Sequence, residues 1–234
     1  MTFFEGVEMY AGYGASLILN GCTISVDRGK IAVIVGPNGA GKSTAMKALF
    51  GMLPLQKGSV SIDNNDITHL RPEQRVSLGM GYVPQTNNVF PSLTVLENLE
   101  MGGFVRRDDL NQTFSEIFDL FPILEKKQGQ PAGELSGGQR QQVAFARAMM
   151  TKPKILMLDE PTAGVSPIVM DELFDRIIDI ANTGVAVVMV EQNAKQALQI
   201  ADIGYVLVQG ENKFKDTGTA LLSNVEVRQA FLGG

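Results

Sequence analysis

Four stretches of the chain are apolar at almost every position: Ile31-Ala32-Val33-Ile34-Val35, Ile155-Leu156-Met157-Leu158, Val185 to Val190, and Tyr205 to Val208. Short runs of this kind are the mark of strands buried on both faces. Between and after them the spacing becomes helical. Residues 44–50 form one segment, closed by Gly51 and barred from continuing by Pro54. Residues 166–182 form another, with Ser166 as cap, Pro167 first, Leu173, Phe174, Ile177 and Ile178 on one face, and Asn182-Thr183-Gly184 as stop. Residues 194–200 form a third. Strands alternating with helices predict an α/β fold with a doubly wound, mainly parallel sheet.

Two other textures flank this core. Before residue 31 the pattern is of short strands and turns, an N-terminal antiparallel β part. A weak alternation over 7–10 is broken by Ala11-Gly12-Tyr13-Gly14, and strands follow at 17–19 and 22–26. Ser59 to Asp63 is another alternating strand, Arg71-Pro72-Glu73-Gln74-Arg75 opens a short helix, and Gly81-Tyr82-Val83 is a brief strand ending at Pro84-Gln85. From residue 86 the texture turns helical. Thr94-Val95-Leu96-Glu97 is a capping-box pattern, residues 110–124 place Phe114, Ile117, Phe118 and Phe121 at helical spacing, and a helix runs from the Leu135-Ser136-Gly137-Gly138-Gln139 stretch to Met150. The expected organisation is one domain: a core of residues 1–85 and 154–218, an inserted helical subdomain at 86–153, and a tail at 219–234 of one or two short helices ending in Gly-Gly.

Composition narrows the class. The 234 residues suffice for a substantial core, and the values of 44% hydrophobic and 19% charged are ordinary for a globular protein. A net charge of −5 argues against nucleic acid as a partner. Cys22 is the sole cysteine and cannot form an internal disulfide, which fits a reducing compartment and a small core residue. His69, the single histidine, lies in a polar connection and reads as a surface residue. The N-terminus has no signal-peptide pattern, and no apolar run is long enough to span a bilayer. The expectation is a cytoplasmic protein whose membrane work, if any, is done by a partner.

The chemistry begins at Gly36-Pro37-Asn38-Gly39-Ala40-Gly41-Lys42-Ser43, between the 31–35 strand and the helix after it. Strand, glycine loop and helix are the context of a P-loop. Its glycines let several N–H groups face inward, the helix adds its positive end, Lys42 can reach the β- and γ-phosphates, and Ser43 can hold Mg²⁺. Asp159 ends an apolar strand where it can hold the same ion, and Glu160 directs a second carboxylate at the γ-phosphate, the place for a base acting on water. Residues 135–139 form a second phosphate device: a hydroxyl from Ser136, two glycines and a helix start. One molecule held between two such chains would use both.

This set resembles the ATP-binding cassette ATPases over essentially the whole chain. The Walker A loop is Gly36 to Ser43, the Q-loop Val83-Pro84-Gln85, the signature Leu135 to Gln139, and the Walker B strand with its catalytic glutamate Ile155 to Glu160. Tyr13, on spacing alone an ordinary packed tyrosine, falls where the family places its adenine-stacking aromatic. The resemblance implies ATP and Mg²⁺ as ligands. Nucleotide contacts come from Tyr13, Gly36, Pro37, Asn38, Gly39, Ala40, Gly41, Lys42, Ser43 and Thr44, and from Ser136, Gly137, Gly138 and Gln139. Ser43, Gln85 and Asp159 serve the metal, while Glu160, Lys42, Gln85 and Gln192 are the catalytic set. Two cassettes would close head-to-tail on two ATP molecules, each signature completing the other's site, with Gln85 at the joint relaying to a membrane partner.

Two positions depart from the family pattern. Val190-Glu191-Gln192-Asn193 puts Gln192 at the switch histidine, and Ala163-Gly164-Val165-Ser166 puts Ser166 where an aspartate is usual. Glutamine can hydrogen-bond a phosphate but carries no positive charge. The implied activity is therefore a working, partner-dependent ATPase. Glu191-Gln192-Asn193-Ala194, the 93–99 stretch with Met101-Gly102-Gly103, and terminal Phe231-Leu232-Gly233-Gly234 look like one of the two ATP-binding subunits of branched-chain amino acid importers. That implies a membrane permease, a soluble solute-binding protein and a second, non-identical cassette, or a second copy of this chain. The subunit would sit peripherally on the inner face of the cell membrane. Alternatives are a urea or short-amide importer, a non-transport cassette on ribosomes or DNA, and a P-loop kinase; the last leaves the signature unexplained.

Overall fold

A computed structural model describes residues 2–231. The first part of the chain runs β1 (Phe4–Tyr13), β2 (Ser16–Val26), β3 (Ile31–Val35), α1 (Lys42–Phe50), β4 (Lys57–Ile62), β5 (Asn65–Asp66), α2 (Pro72–Ser77) and β6 (Met80–Val83). A helical stretch follows: α3 (Val95–Gly102), α4 (Asn111–Leu120), α5 (Pro122–Lys126) and α6 (Gly137–Met149). The chain then returns through β7 (Ile155–Asp159), α7 (Pro167–Asn182), β8 (Ala186–Val190), α8 (Ala194–Gln199), β9 (Ile203–Val208), β10 (Glu211–Asp216), α9 (Gly218–Ser223) and α10 (Val225–Phe231).

Among the described residues there are two sheets. One is antiparallel, in the order β2-β1-β4-β5. The other has the order β10-β9-β3-β8-β7-β6 and is parallel except for its β9–β10 edge. Its central strands β3, β7 and β8 are buried on both faces, so each contributes to two cores. Val33, Val35, Leu156 and Leu158 point to the helical side with α6 and α7, whereas Ala32, Ile34, Ile155 and Met157 point to α1 and the antiparallel sheet. Each fully buried aliphatic side chain is worth about 1.5–3 kcal/mol. The doubly wound architecture and the N-terminal antiparallel part are as the hydrophobic pattern predicts.

Several local expectations change. The break expected over 11–14 falls at its end: β1 continues to Tyr13, the chain turns at Gly14-Ala15, and β1 pairs with one long β2. Gly12 is needed inside that hairpin, because a Cβ there would lie 1.9 Å from the Ser16 carbonyl oxygen. The amphipathic stretch 110–124 divides at Phe121, because proline at the first position of α5 removes an N–H and restricts the residue before it. Ser166 occupies the cap position of α7, but its side chain makes no capping bond. Ile178 lies at the edge of the buried face, with Ile177 and Ile180 at its centre. Strand β10 was not legible, since its charged, mostly exposed residues are those of an edge. Cys22 is buried, its thiol pushed up to about 12 by that burial, and His69 is exposed, both as expected. Residues Leu232 to Gly234 lie outside the described residues.

Candidate active site

The loop between β3 and α1 wraps a cleft of about 330 Å³, lined by Asn38 to Thr44, Tyr13, Ile18 and Glu160. Gly39 and Gly41 have φ of 80° and 99°, which L side chains avoid. Gly36 packs so tightly that a Cβ would lie 2.2 Å from the Leu207 carbonyl oxygen. The Lys42 ammonium lies on the carbonyl oxygens of Gly36 and Pro37, at 2.9 and 3.2 Å. Burial holds its pKa below the usual lysine value, with Glu160 and Asp159 pulling the other way. A desolvated cation resting on its own loop is suited to receive a phosphate. Tyr13 is 50% exposed at the cleft, with Lys47 Nζ 5.9 Å from its ring centre.

The acidic end of β7 faces this cradle. Ser43 Oγ donates to Asp159 Oδ1 at 3.3 Å, and the Tyr82 hydroxyl donates to Oδ2 at 3.1 Å. Glu160 leaves the strand in a left-handed conformation, φ 47°, with its N–H on the Val190 carbonyl at 2.9 Å. Gln85 Nε2 donates to Glu160 Oε2 at 2.6 Å. The fold therefore brings Lys42, Ser43, Gln85, Asp159, Glu160 and Tyr13 to one end of the parallel sheet, beyond the carboxyl ends of its strands.

The signature residues lie outside the cleft. Ser136 and Gln139 form a reciprocal cap on α6: Gln139 N–H donates to Ser136 Oγ at 3.3 Å, and Ser136 N–H to Gln139 Oε1 at 3.2 Å. Gly138 faces α7, where a Cβ would stand 2.2 Å from Val169 Cγ1, so this glycine also serves close helix packing. Gln192 is exposed, does not line the cleft, and donates its N–H to Glu191 Oε2 at 3.1 Å.

Two participants escape a sequence reading. Glu191 is 1% exposed and accepts from Thr162 N–H at 3.0 Å and Thr162 Oγ1 at 2.9 Å, tying the turn after Glu160 to the segment carrying Gln192. Burial raises its pKa, and the hydrogen bonds from Thr162, Gln192 and Asn193 oppose the rise. Its signal was a carboxylate ending an apolar strand, the same signal as Asp159. Tyr82 gave only the weak signal of an aromatic in a short strand.

The fold and this site define an ATP-binding cassette ATPase. The sequence model of the ABC transporter family matches residues 19–163, and the chain belongs to that family. It is 41% identical over 235 residues to the high-affinity branched-chain amino acid transport ATP-binding protein BraG of Pseudomonas aeruginosa, covering the whole of both chains. It is 41% identical over 175 residues, 74% of each chain, to the probable branched-chain amino acid transport ATP-binding protein LivF of Archaeoglobus fulgidus. Among solved structures, the ADP conformation of MJ1267, an ATP-binding cassette of an ABC transporter, superposes with a TM-score of 0.88 at 28% identity over the whole of both chains.

Proposed function

We propose that this chain is the ATP-hydrolysing subunit of an importer for branched-chain amino acids. The observation that carries the proposal is the convergence of Lys42, Ser43, Asp159, Glu160 and Gln85 on one cleft, in a chain alignable end to end with BraG. Residues 36–44 hold the phosphates of ATP through backbone N–H groups and Lys42, and Tyr13 offers a ring to the adenine. Ser43 and Asp159 would hold Mg²⁺, supplying the hard oxygen donors that suit it. Bound there, Mg²⁺ supplies neutralising charge to the transferring phosphoryl group. Glu160 receives the proton of the attacking water, with Gln85 orienting its carboxylate.

The position of Ser136 to Gln139 away from their own chain's cleft supports a two-cassette arrangement, in which this helix start meets nucleotide on a neighbouring cassette. That neighbour is a non-identical cassette or a second copy of this chain. No helix among the described residues is long and apolar enough to cross a membrane, so the solute path belongs to permease subunits. In this reading the chain works on the inner face of the membrane, and a solute-binding protein delivers the cargo. The test is reconstitution in vesicles with permease and solute-binding protein. The expected result is ATP-dependent uptake of labelled leucine that is lost with Lys42→Ala. Uptake of urea without leucine, or none that depends on Lys42, overturns the proposal.

A further inference from the structure

Asp159 has two carboxylate oxygens, and each has its own hydroxyl donor. Ser43, on Oδ1, belongs to the phosphate loop. Tyr82, on Oδ2, belongs to β6 and to no motif in the chain. The sheet register explains how it reaches. Tyr82 pairs with Met157 in the parallel β6–β7 ladder. Side chains alternate along a strand, so Tyr82, Met157 and Asp159 share one face. A phenol is long enough to reach past its paired residue to the carboxylate two positions on. A phenylalanine there would keep the packing and lose the bond.

The ring is held firmly. It lies against Phe50 of α1 with centroids 5.0 Å apart, and it walls a groove beside Met80, Met101 and Arg147. A carboxylate turns easily about its last torsion. With Oδ2 engaged, Oδ1 is turned toward Ser43.

We propose that Tyr82 is a positioning residue for the magnesium site, its hydroxyl fixing Asp159 so that Oδ1 and the Ser43 hydroxyl face the cation that accompanies ATP. The proposal rests on the ATPase reading above. Outer partners of metal ligands orient them and raise affinity, and their loss weakens metal binding about 10–100-fold. Tyr82, by contrast, does not line the cleft of Lys42 and the loop N–H groups, so metal-free nucleotide binding is independent of its hydroxyl.

The test compares the full chain with Tyr82→Phe and with Tyr82→His, which keeps an N–H donor on a smaller ring. A fluorescent ATP analogue is titrated in EDTA, and Mn²⁺ is then titrated at saturating non-hydrolysable ATP analogue and followed by electron paramagnetic resonance. For Tyr82→Phe the expected result is nucleotide affinity in EDTA within about twofold of wild type, and Mn²⁺ half-saturation raised about tenfold or more. Tyr82→His recovers part of that loss. Unchanged Mn²⁺ binding in Tyr82→Phe, an equal loss in both variants, or nucleotide affinity in EDTA that falls in step with Mn²⁺ overturns the proposal. If the wild-type chain binds neither analogue nor Mn²⁺, the ATPase reading fails and this proposal with it.

Discussion

Gln85 donates from Nε2 to Glu160 Oε2 across 2.6 Å, and the register of two parallel strands sets up this contact. Val83 pairs with Leu158 at the end of the β6–β7 ladder. Two residues further along each chain stand Gln85 and Glu160. The segment leading from the sheet into the helical part thus ends on the carboxylate that faces the phosphate cleft. Motion of that segment changes what Glu160 is bonded to.

Glu160→Gln preserves shape and removes the base. Phosphate release is expected to fall about 100-fold or more, while affinity for ATP stays near wild type because Lys42 and the loop are untouched. Phosphate release and fluorescent-nucleotide binding on the same sample check this. Unchanged turnover removes Glu160 from the role.

Gln192 stands exposed beyond β8, anchored through its own N–H to Glu191. Gln192→His introduces a side chain able to carry charge, and charge-assisted bonds are roughly twice as strong as neutral ones. Turnover is expected to rise several-fold, more at pH 6 than at pH 8, as the imidazole protonates. A flat response across that range shows that the position of Gln192 does not limit hydrolysis.

The Glu191 carboxyl has a folded pKa raised by burial. Between the ordinary glutamate value and the raised one, the folded state binds more protons than the unfolded state. Stability from this group is therefore lost as pH rises through that window. Glu191→Gln has no such dependence. The melting-temperature difference, wild type minus variant, is expected to be larger at pH 4.5 than at pH 7.5. A constant difference refutes the assignment.

Gly137 and Gly138 separate two roles for one motif. A methyl at Gly138 meets Val169 at 2.2 Å, and one at Gly137 meets nothing within 4 Å. Gly138→Ala is expected to cost about 1–3 kcal/mol through overpacking. Gly137→Ala, on the open side of α6, leaves stability within about 0.5 kcal/mol. Denaturant unfolding of the two variants reads the contrast directly.

Much of the site was legible because its residues sit where pattern and chemistry coincide. Asp159 ends an all-apolar strand, and Lys42-Ser43 ends a glycine loop that follows one. Such positions are marked by a local break in hydrophobicity. Tyr82 and Glu191 were not legible as participants. Tyr82 matters because of which strand lies beside β6, and Glu191 because Thr162 folds over it. Neighbours far apart in the chain leave no trace in local periodicity. The continuation of β1 through Tyr13 was hidden likewise: glycine reads as a break, although here it permits close strand pairing.

By itself the order of residues determined the alternation of buried strands and helices, the phosphate loop and the acidic strand end, since each depends on neighbours within a few positions. Only the tertiary structure decided the strand order β9-β3-β8-β7-β6, the meeting of Gln85 with Glu160, and the grip of Ser43 and Tyr82 on the two oxygens of Asp159. These follow from which strands lie side by side, a choice made by burying both faces of one sheet at once.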